Sequence, residues 1–165
     1  MTSLLVGERF NQRTWRPSLF AIPSANYVNV MTRLGAFPAG HSRVKLESLG
    51  VRWTQSMNLL PPDPQGVKWN AELAATVAAY LMLHTAHDLL WLAGIRVARA
   101  FGIRADEQLY FQPLSSESGA WEPSYDPPRL CVIVPHPSGL NRWWNHEENV
   151  EWGRREIADL TEQLR

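Results

Sequence analysis

A chain of 165 residues fits one domain, 1–165, and excludes a second domain with its own core. Hydrophobic residues at 45%, charged residues at 19% and eight Trp exclude a disordered chain. Sixteen basic residues balance sixteen acidic ones, so nucleic-acid binding has to rest on a local patch rather than on net charge. The single cysteine, Cys131, excludes an intrachain disulfide and any four-cysteine zinc or iron–sulfur site built from this chain. No apolar run is long enough to span a bilayer, and the opening MTSLLVGERF turns polar too early for a signal-peptide core. The expectation is a soluble, intracellular, cytoplasmic protein with no membrane partner.

In chain order, the apolar run Ser3–Val6 reads as a first strand, ended by Gly7. Ser24–Leu34 carries Tyr27, Val28, Met31 and Leu34 at helical spacing, with Gly35 as the stop. Val51–Met57 reads as a second strand that stops before Asn58 and the Pro61–Pro62 pair, and Asn70 caps a helix over the Ala-rich run Ala71–His84. Asp88–Leu92 is a third strand, closed by Ala93–Gly94, and Ile95–Phe101 a short helix ended by Gly102. Gln112–Arg129 is rich in Pro, Ser and Gly and reads as a long irregular segment, a type more often functional than idle. Leu130–Val134 is a fourth strand, ended by Pro135, and Asn149–Leu164 an amphipathic terminal helix with Trp152, Ile157, Leu160 and Leu164 near one face. Short, continuously apolar strands belong to a sheet covered on both faces, so this alternation predicts a three-layer α/β domain with a parallel sheet.

Ligands of such sheets bind beyond the carboxyl ends of the strands, which directs attention to Gly7–Gln12, Asn58–Pro64, Ala93–Arg96 and Pro135–Asn145. In the last of these a strand runs into His136 held between two prolines, whose fixed φ angles stiffen the loop and aim the imidazole. Ser138 and Gly139 let the backbone approach a phosphate, Leu140 is an apolar residue on a polar loop, and Arg142 is a cation beside it. An apolar wedge between phosphate contacts is how proteins draw a base out of its stack. The plainer alternative is a turn that closes a strand around a buried, satisfied histidine.

The run His136–Arg142 (HPSGLNR) resembles the second motif of the uracil-DNA glycosylase superfamily, in which His-Pro-Ser or Asn-Pro-Ser opens the loop that enters the duplex. Gly139, Leu140 and Arg142 are similar to the mismatch-specific branch, and His136 and Asn141 to the single-strand-selective branch. Leu4–Glu8 is similar to the first motif, Asn58–Pro62 to the strand-end Asn followed by prolines, and Leu89–Gly94 with Val97 and Ala98 to the third strand and its helix. The resemblance implies a three-layer α/β/α domain around a central four-stranded parallel sheet. It also implies hydrolysis of the N-glycosidic bond of a flipped uracil, damaged or modified base in double- or single-stranded DNA, by a monomeric enzyme that needs no cofactor or metal.

Carried over by position, His136 would donate to the base oxygen that becomes negative as the bond breaks, and Asn58 would read the base edge with its amide. Phe20 would be the stacking platform, with Phe10 a second candidate. Ser138, Gly139, Leu140, Asn141 and Arg142 would contact DNA, Leu140 and Arg142 filling the gap in the duplex. In the first motif this chain lacks the usual Pro, and Arg9 stands where other branches carry Asp or Asn. Glu8 therefore inherits the task of stabilising an oxocarbenium-like sugar and orienting water, with Asn11 as the fallback. This unusual first motif leaves room for a bulkier, modified pyrimidine.

Other residues read as structural: His84, His87 and Asp88 lie where a helix runs into a strand, Trp143 and Trp144 as packing anchors, Cys131 as a small buried hydrophobe. Arg13, Arg16, Arg33, Arg43, Lys45 and Arg52 concentrate positive charge in the first third. Two alternatives stand beside the glycosylase. One is a hydrolase of the same fold acting on free nucleotides, the other a non-catalytic nucleic-acid or partner-binding module, which Arg9 favours. Phosphate contacts impose a steep salt dependence on duplex binding, which a small-molecule enzyme lacks.

Overall fold

The structure is a computed structural model that describes residues 1–9, 41–60, 69–115, 130–138 and 141–165. Its centre is a five-stranded, mostly parallel sheet in the order β2-β1-β3-β5-β4, flanked by helices. The strands are β1 (Ser3–Arg9), β2 (Gln55–Leu60), β3 (Leu89–Ala93), β4 (Pro113–Ser115) and β5 (Leu130–Val134). The helices are α1 (His41–Ser48), α2 (Ala71–His84), α3 (Ile95–Ala100) and α4 (Glu147–Gln163), with 3₁₀ turns at Glu107–Leu109 and Arg142–Asn145. The four apolar runs form the parallel part, β1 pairing with β2 and β3, and β3 with β5. The predicted four-stranded, wholly parallel sheet is thus extended by β4, which pairs antiparallel with β5. A three-residue strand beginning with Pro carries too little pattern to be read within Gln112–Arg129, and an edge is where a strand tolerates Pro.

Continuous burial follows from the parallel topology. All five residues of β3 are buried, as are the last four of β5 and the last five of β2. Leu4, Leu5, Leu89, Leu90, Val132 and Ile133 lose all solvent contact, each burial favouring the fold by roughly 1.5–3 kcal/mol. In α2 the buried residues Ala74, Val77, Ala78, Leu81 and Met82 form one stripe, and the Asn70 side chain accepts from Leu73 N–H at 2.9 Å, as its capping role requires.

The strand boundaries differ from the sequence reading in three places, β3 being shifted by one residue to Leu89–Ala93. β1 does not end at Gly7: its pairing continues, Gly7 against Asn58 and Arg9 against Leu60, so Glu8 lies within the strand. β2 begins at Gln55 and runs through Asn58, because Val51 belongs to the end of α1. There Gly50, at φ 95°, donates to Glu47 O at 3.0 Å and Val51 donates to Leu46 O at 3.2 Å, a Schellman closure. The predicted helix Ser24–Leu34 lies outside the described residues. Among the described residues no helix is long and apolar enough to cross a membrane.

The residues singled out as structural have clear uses. Asp88 Oδ2 accepts from Thr2 N–H at 2.6 Å and its hydroxyl at 3.1 Å, tying the chain start to β3, while His87 Nδ1 lies 2.8 Å from Thr85 Oγ1. Among the described residues no group of three or more His, Cys, Asp or Glu is arranged to hold a metal. Trp143 is buried among Tyr110, Phe111 and Trp144, with ring centroids 5.0–6.3 Å away.

Helix α4 seats on this aromatic cluster through Gly153, where a Cβ would meet Phe111 Cζ at 2.9 Å, Trp143 Cη2 at 3.1 Å and Leu49 Cδ2 at 3.3 Å. In an open helix Gly→Ala gains about 0.5–1 kcal/mol. Here Gly153→Ala is expected to lose stability, by about 1–3 kcal/mol, the usual size of an overpacking penalty. Denaturant unfolding of the variant checks this, and a stabilised variant would show that α4 can move outward freely.

Candidate active-site cleft

Strand order decides where side chains converge. β1 is followed by β2 on one side and has β3 on the other, so the connections diverge between β1 and β3, a topological switch point where α/β sheets bind ligands. A cleft of about 550 Å³ lies there, lined by Glu8 from β1 and by Gly94, Arg96 and Arg99 after β3. The chain after β5 adds His136, Ser138 and Asn141, and the segment preceding β4 adds Glu107 and Tyr110.

His136 is fixed from several directions. Gly94 has φ 101° and donates its N–H to Val134 O at 2.8 Å, locking the ends of β3 and β5 together. A Cβ at residue 94 would stand 2.9 Å from His136 Cβ, so only glycine admits this approach. The His136 carbonyl accepts from Trp144 Nε1 at 2.8 Å and from Asn141 Nδ2 at 3.1 Å. Asn141 Oδ1 in turn accepts from Trp143 N–H at 3.1 Å, capping the 3₁₀ turn. Asn141 and Trp144 therefore act on the histidine backbone and not on its ring.

The ring's protonation follows from one contact. Ser138 N–H donates to His136 Nδ1 at 3.2 Å. A backbone N–H can only donate, so Nδ1 is the acceptor and the imidazole proton resides on Nε2. Burial holds the His136 pKa below its ordinary 6.5, Glu8 nearby pulls it up, and Arg96 pushes it down again. The histidine is thus a neutral donor at pH 7.

Glu8 Oε2 pairs with Arg96 Nη1 at 3.5 Å, the arginine side chain remaining 57% exposed and stacked over Trp69 at 5.6 Å. An ion pair this open contributes no more than about 1 kcal/mol and yields readily to a competing anion. Asn58 presents a different case. It is fully buried on β2 beside Gly7, and neither its Oδ1 nor its Nδ2 has a hydrogen-bond partner among the described residues. Each orphaned amide atom costs about 1–3 kcal/mol, so the position calls for a partner.

Of the residues predicted from sequence, Glu8, His136, Ser138 and Asn141 line one cleft. Asn58 lies on β2, separated from β3 by β1, and Arg142 is exposed at the start of its 3₁₀ turn. Phe10, Asn11, Phe20, Gly139 and Leu140 lie outside the described residues. Arg99, Glu107 and Tyr110 were not legible as site residues, and Arg96 only as part of a strand-end segment. The one sequence signal for the arginines is their i, i+3 spacing directly after a strand-terminal Gly.

Gly94→Ala is expected to destabilise the fold by about 1–3 kcal/mol, the range for a non-glycine residue forced into such a conformation. It should also displace His136, whose ring resonances in NMR spectra would shift. Unchanged stability and unchanged His136 signals would show that the ends of β3 and β5 are not held as tightly as this contact requires.

The chain matches no protein-family model, and no curated protein matches it.

Proposed function

We propose that the protein is a DNA glycosylase-like enzyme, hydrolysing the N-glycosidic bond of a flipped uracil, damaged or modified base. One observation carries the reading: a carboxylate, Glu8, and a neutral imidazole whose Nε2 bears the proton, His136, line the same cleft at the carboxyl ends of parallel strands. The finer fold reading, a three-layer uracil-DNA glycosylase-like domain, goes with it, the parallel strands β2-β1-β3-β5 being its core and β4 an addition at the edge. So do the expectations of a monomer acting on DNA inside the cell.

The chemistry suits those two groups. As the C1′–N bond breaks, its electron pair moves into the base, leaving the sugar positive and a base oxygen negative. His136 Nε2–H donates to that oxygen without surrendering its proton, and Glu8 faces the sugar, stabilising its charge and accepting a proton from the water that attacks C1′. The proton then passes to the base, so the products are free base and an abasic sugar. Asn58 stays the candidate reader of the base edge by its place in the motif and its paired donor and acceptor, although it is fully buried and is not among the residues lining the cleft.

The Glu8–Arg96 pair also has a place in this scheme. A phosphate drawn to the exposed guanidinium would loosen it from the carboxylate, leaving Glu8 charged beside the sugar when substrate is bound. Removing that charge is therefore the direct test of the enzyme reading. Glu8→Gln keeps the shape, and it should lower the single-turnover rate of base release at least about a hundredfold while DNA affinity at fixed salt stays level or rises slightly. Full activity would move the role elsewhere, and a collapse in thermal stability would make Glu8 a structural residue.

Acid pH should act through His136. Because burial lowers its pKa in the folded protein, its ring resonances are expected to titrate with a midpoint below 6.5. The sign for stability follows: the contribution of this neutral histidine is complete above 6.5 and is lost as pH falls through 6.5 towards the folded value. The base-release rate should fall as pH drops through the lowered folded value, where the Nδ1 acceptor is protonated and the Ser138 hydrogen bond breaks. An NMR titration with a midpoint above 6.5 would contradict a neutral donor.

A further inference from the structure

Tyr110 lies in the cleft with no task in the reaction described above, yet its placement is elaborate. Its backbone bridges Ile133 of β5, and the next residue, Phe111, donates to Ile133 O at 2.9 Å while held at φ 65°. For a bulky aromatic residue this left-handed conformation costs about 1–3 kcal/mol, a strain that persists only where the surroundings enforce it. The enforcing contacts are aromatic: Phe111 packs against Trp143 at 5.7 Å and edge-on to Trp152 at 5.1 Å. The strained turn sends Phe111 towards α4, while Tyr110 packs edge-on to Trp143 at 6.3 Å and lines the cleft with His136, Ser138, Asn141 and Glu107.

Among the described residues, the Asn141 side chain lies beside the hydroxyl. Asn141 Oδ1 already accepts from Trp143 N–H, and its amide nitrogen, a donor of two protons, gives one to the His136 carbonyl. The second amide proton remains for the phenol oxygen nearby, and a phenol that accepts there keeps its own proton for an acceptor in the cleft. The amide that holds the His136 carbonyl thus also stands beside Tyr110.

We propose that Tyr110 is a second catalytic donor, its hydroxyl joining His136 Nε2–H to hold the negative charge that develops on the departing base. This rests on the base-releasing reading of the cleft. Burial and the Glu107 carboxylate push the Tyr110 pKa up to about 12, against the opposing hydrogen bond from Asn141. The phenol therefore keeps its proton through catalysis and acts as a hydrogen-bond donor, not as a base.

The test is Tyr110→Phe, which retains the ring and its packing on Trp143 and removes the hydroxyl. Single-turnover base release is measured for wild type and variant on DNAs carrying uracil, 5-fluorouracil and 5-hydroxymethyluracil, whose N1 acidities differ. Losing a donor to the leaving group should lower the rate by about tenfold to a hundredfold and make it depend more steeply on leaving-base acidity, with DNA affinity and melting temperature unchanged. Equal rates, or a slower variant with an unchanged dependence on acidity, would overturn the proposal and leave the glycosylase reading standing. A wild-type protein that releases none of these bases would overturn that reading for them, and the role of Tyr110 with it.

Discussion

Where β3 ends, Gly94 turns the chain at φ 101° and gives its N–H to Val134, bringing the backbone of β5 so close that a methyl group at residue 94 would stand 2.9 Å from His136 Cβ. This approach depends on the core beneath it. The register Ala93 against Val134 is the last rung of a ladder that begins at Leu89 and Leu130, and nearly every residue along it is buried. A one-residue slip would reverse the faces of a whole strand, so hydrophobic burial fixes the register and the register fixes His136. The two prolines around the histidine then limit what remains of its backbone freedom.

The polar groups around the cleft fall into two sets. One set is fully used within the fold: the His136 carbonyl takes two donors, His136 Nδ1 takes Ser138 N–H, and Asn141 Oδ1 takes Trp143 N–H. The other set remains available to a ligand: His136 Nε2–H, the Tyr110 hydroxyl and the weakly paired Glu8 carboxylate. The first set is held by the aromatic cluster under α4, where Trp143 and Phe111 meet Gly153 and Trp152 packs edge-on to Phe111. A site whose donors are immobilised before the substrate arrives has little reorganisation left for the moment of reaction, the condition under which fixed dipoles are most effective.

How far this was legible in the chain depended on whether the signal was local. β5 over Leu130–Val134 and α2 over Ala71–His84 with its Asn70 cap were readable, because an uninterrupted apolar run and a capped Ala-rich run depend on little outside themselves. β2 was misplaced for the opposite reason: Asn58 reads as a polar stop, whereas it lies mid-strand and fully buried. α1 is not legible in the chain because His41–Ser48 has weak patterning and is stabilised by buried Leu46 and Leu49 and by its Gly50 closure. In the cleft, His136, Ser138 and Asn141 lie close together in the sequence and Glu8 is a strand-end carboxylate, but Tyr110 comes from a segment with no motif. Strand order alone brings it to the site, beside β5.

Every role proposed for the cleft residues depends on release of a base there. The most direct measurement is to incubate the protein with DNAs carrying uracil, hydroxymethylated and glucosylated pyrimidines and to analyse the small-molecule products by mass spectrometry. The expected result is an intact free base from at least one of these DNAs, with an abasic site left in the strand. DNA that is bound while no free base appears from any of them, or a product released as a nucleoside or nucleotide, would contradict N-glycosidic hydrolysis by this cleft.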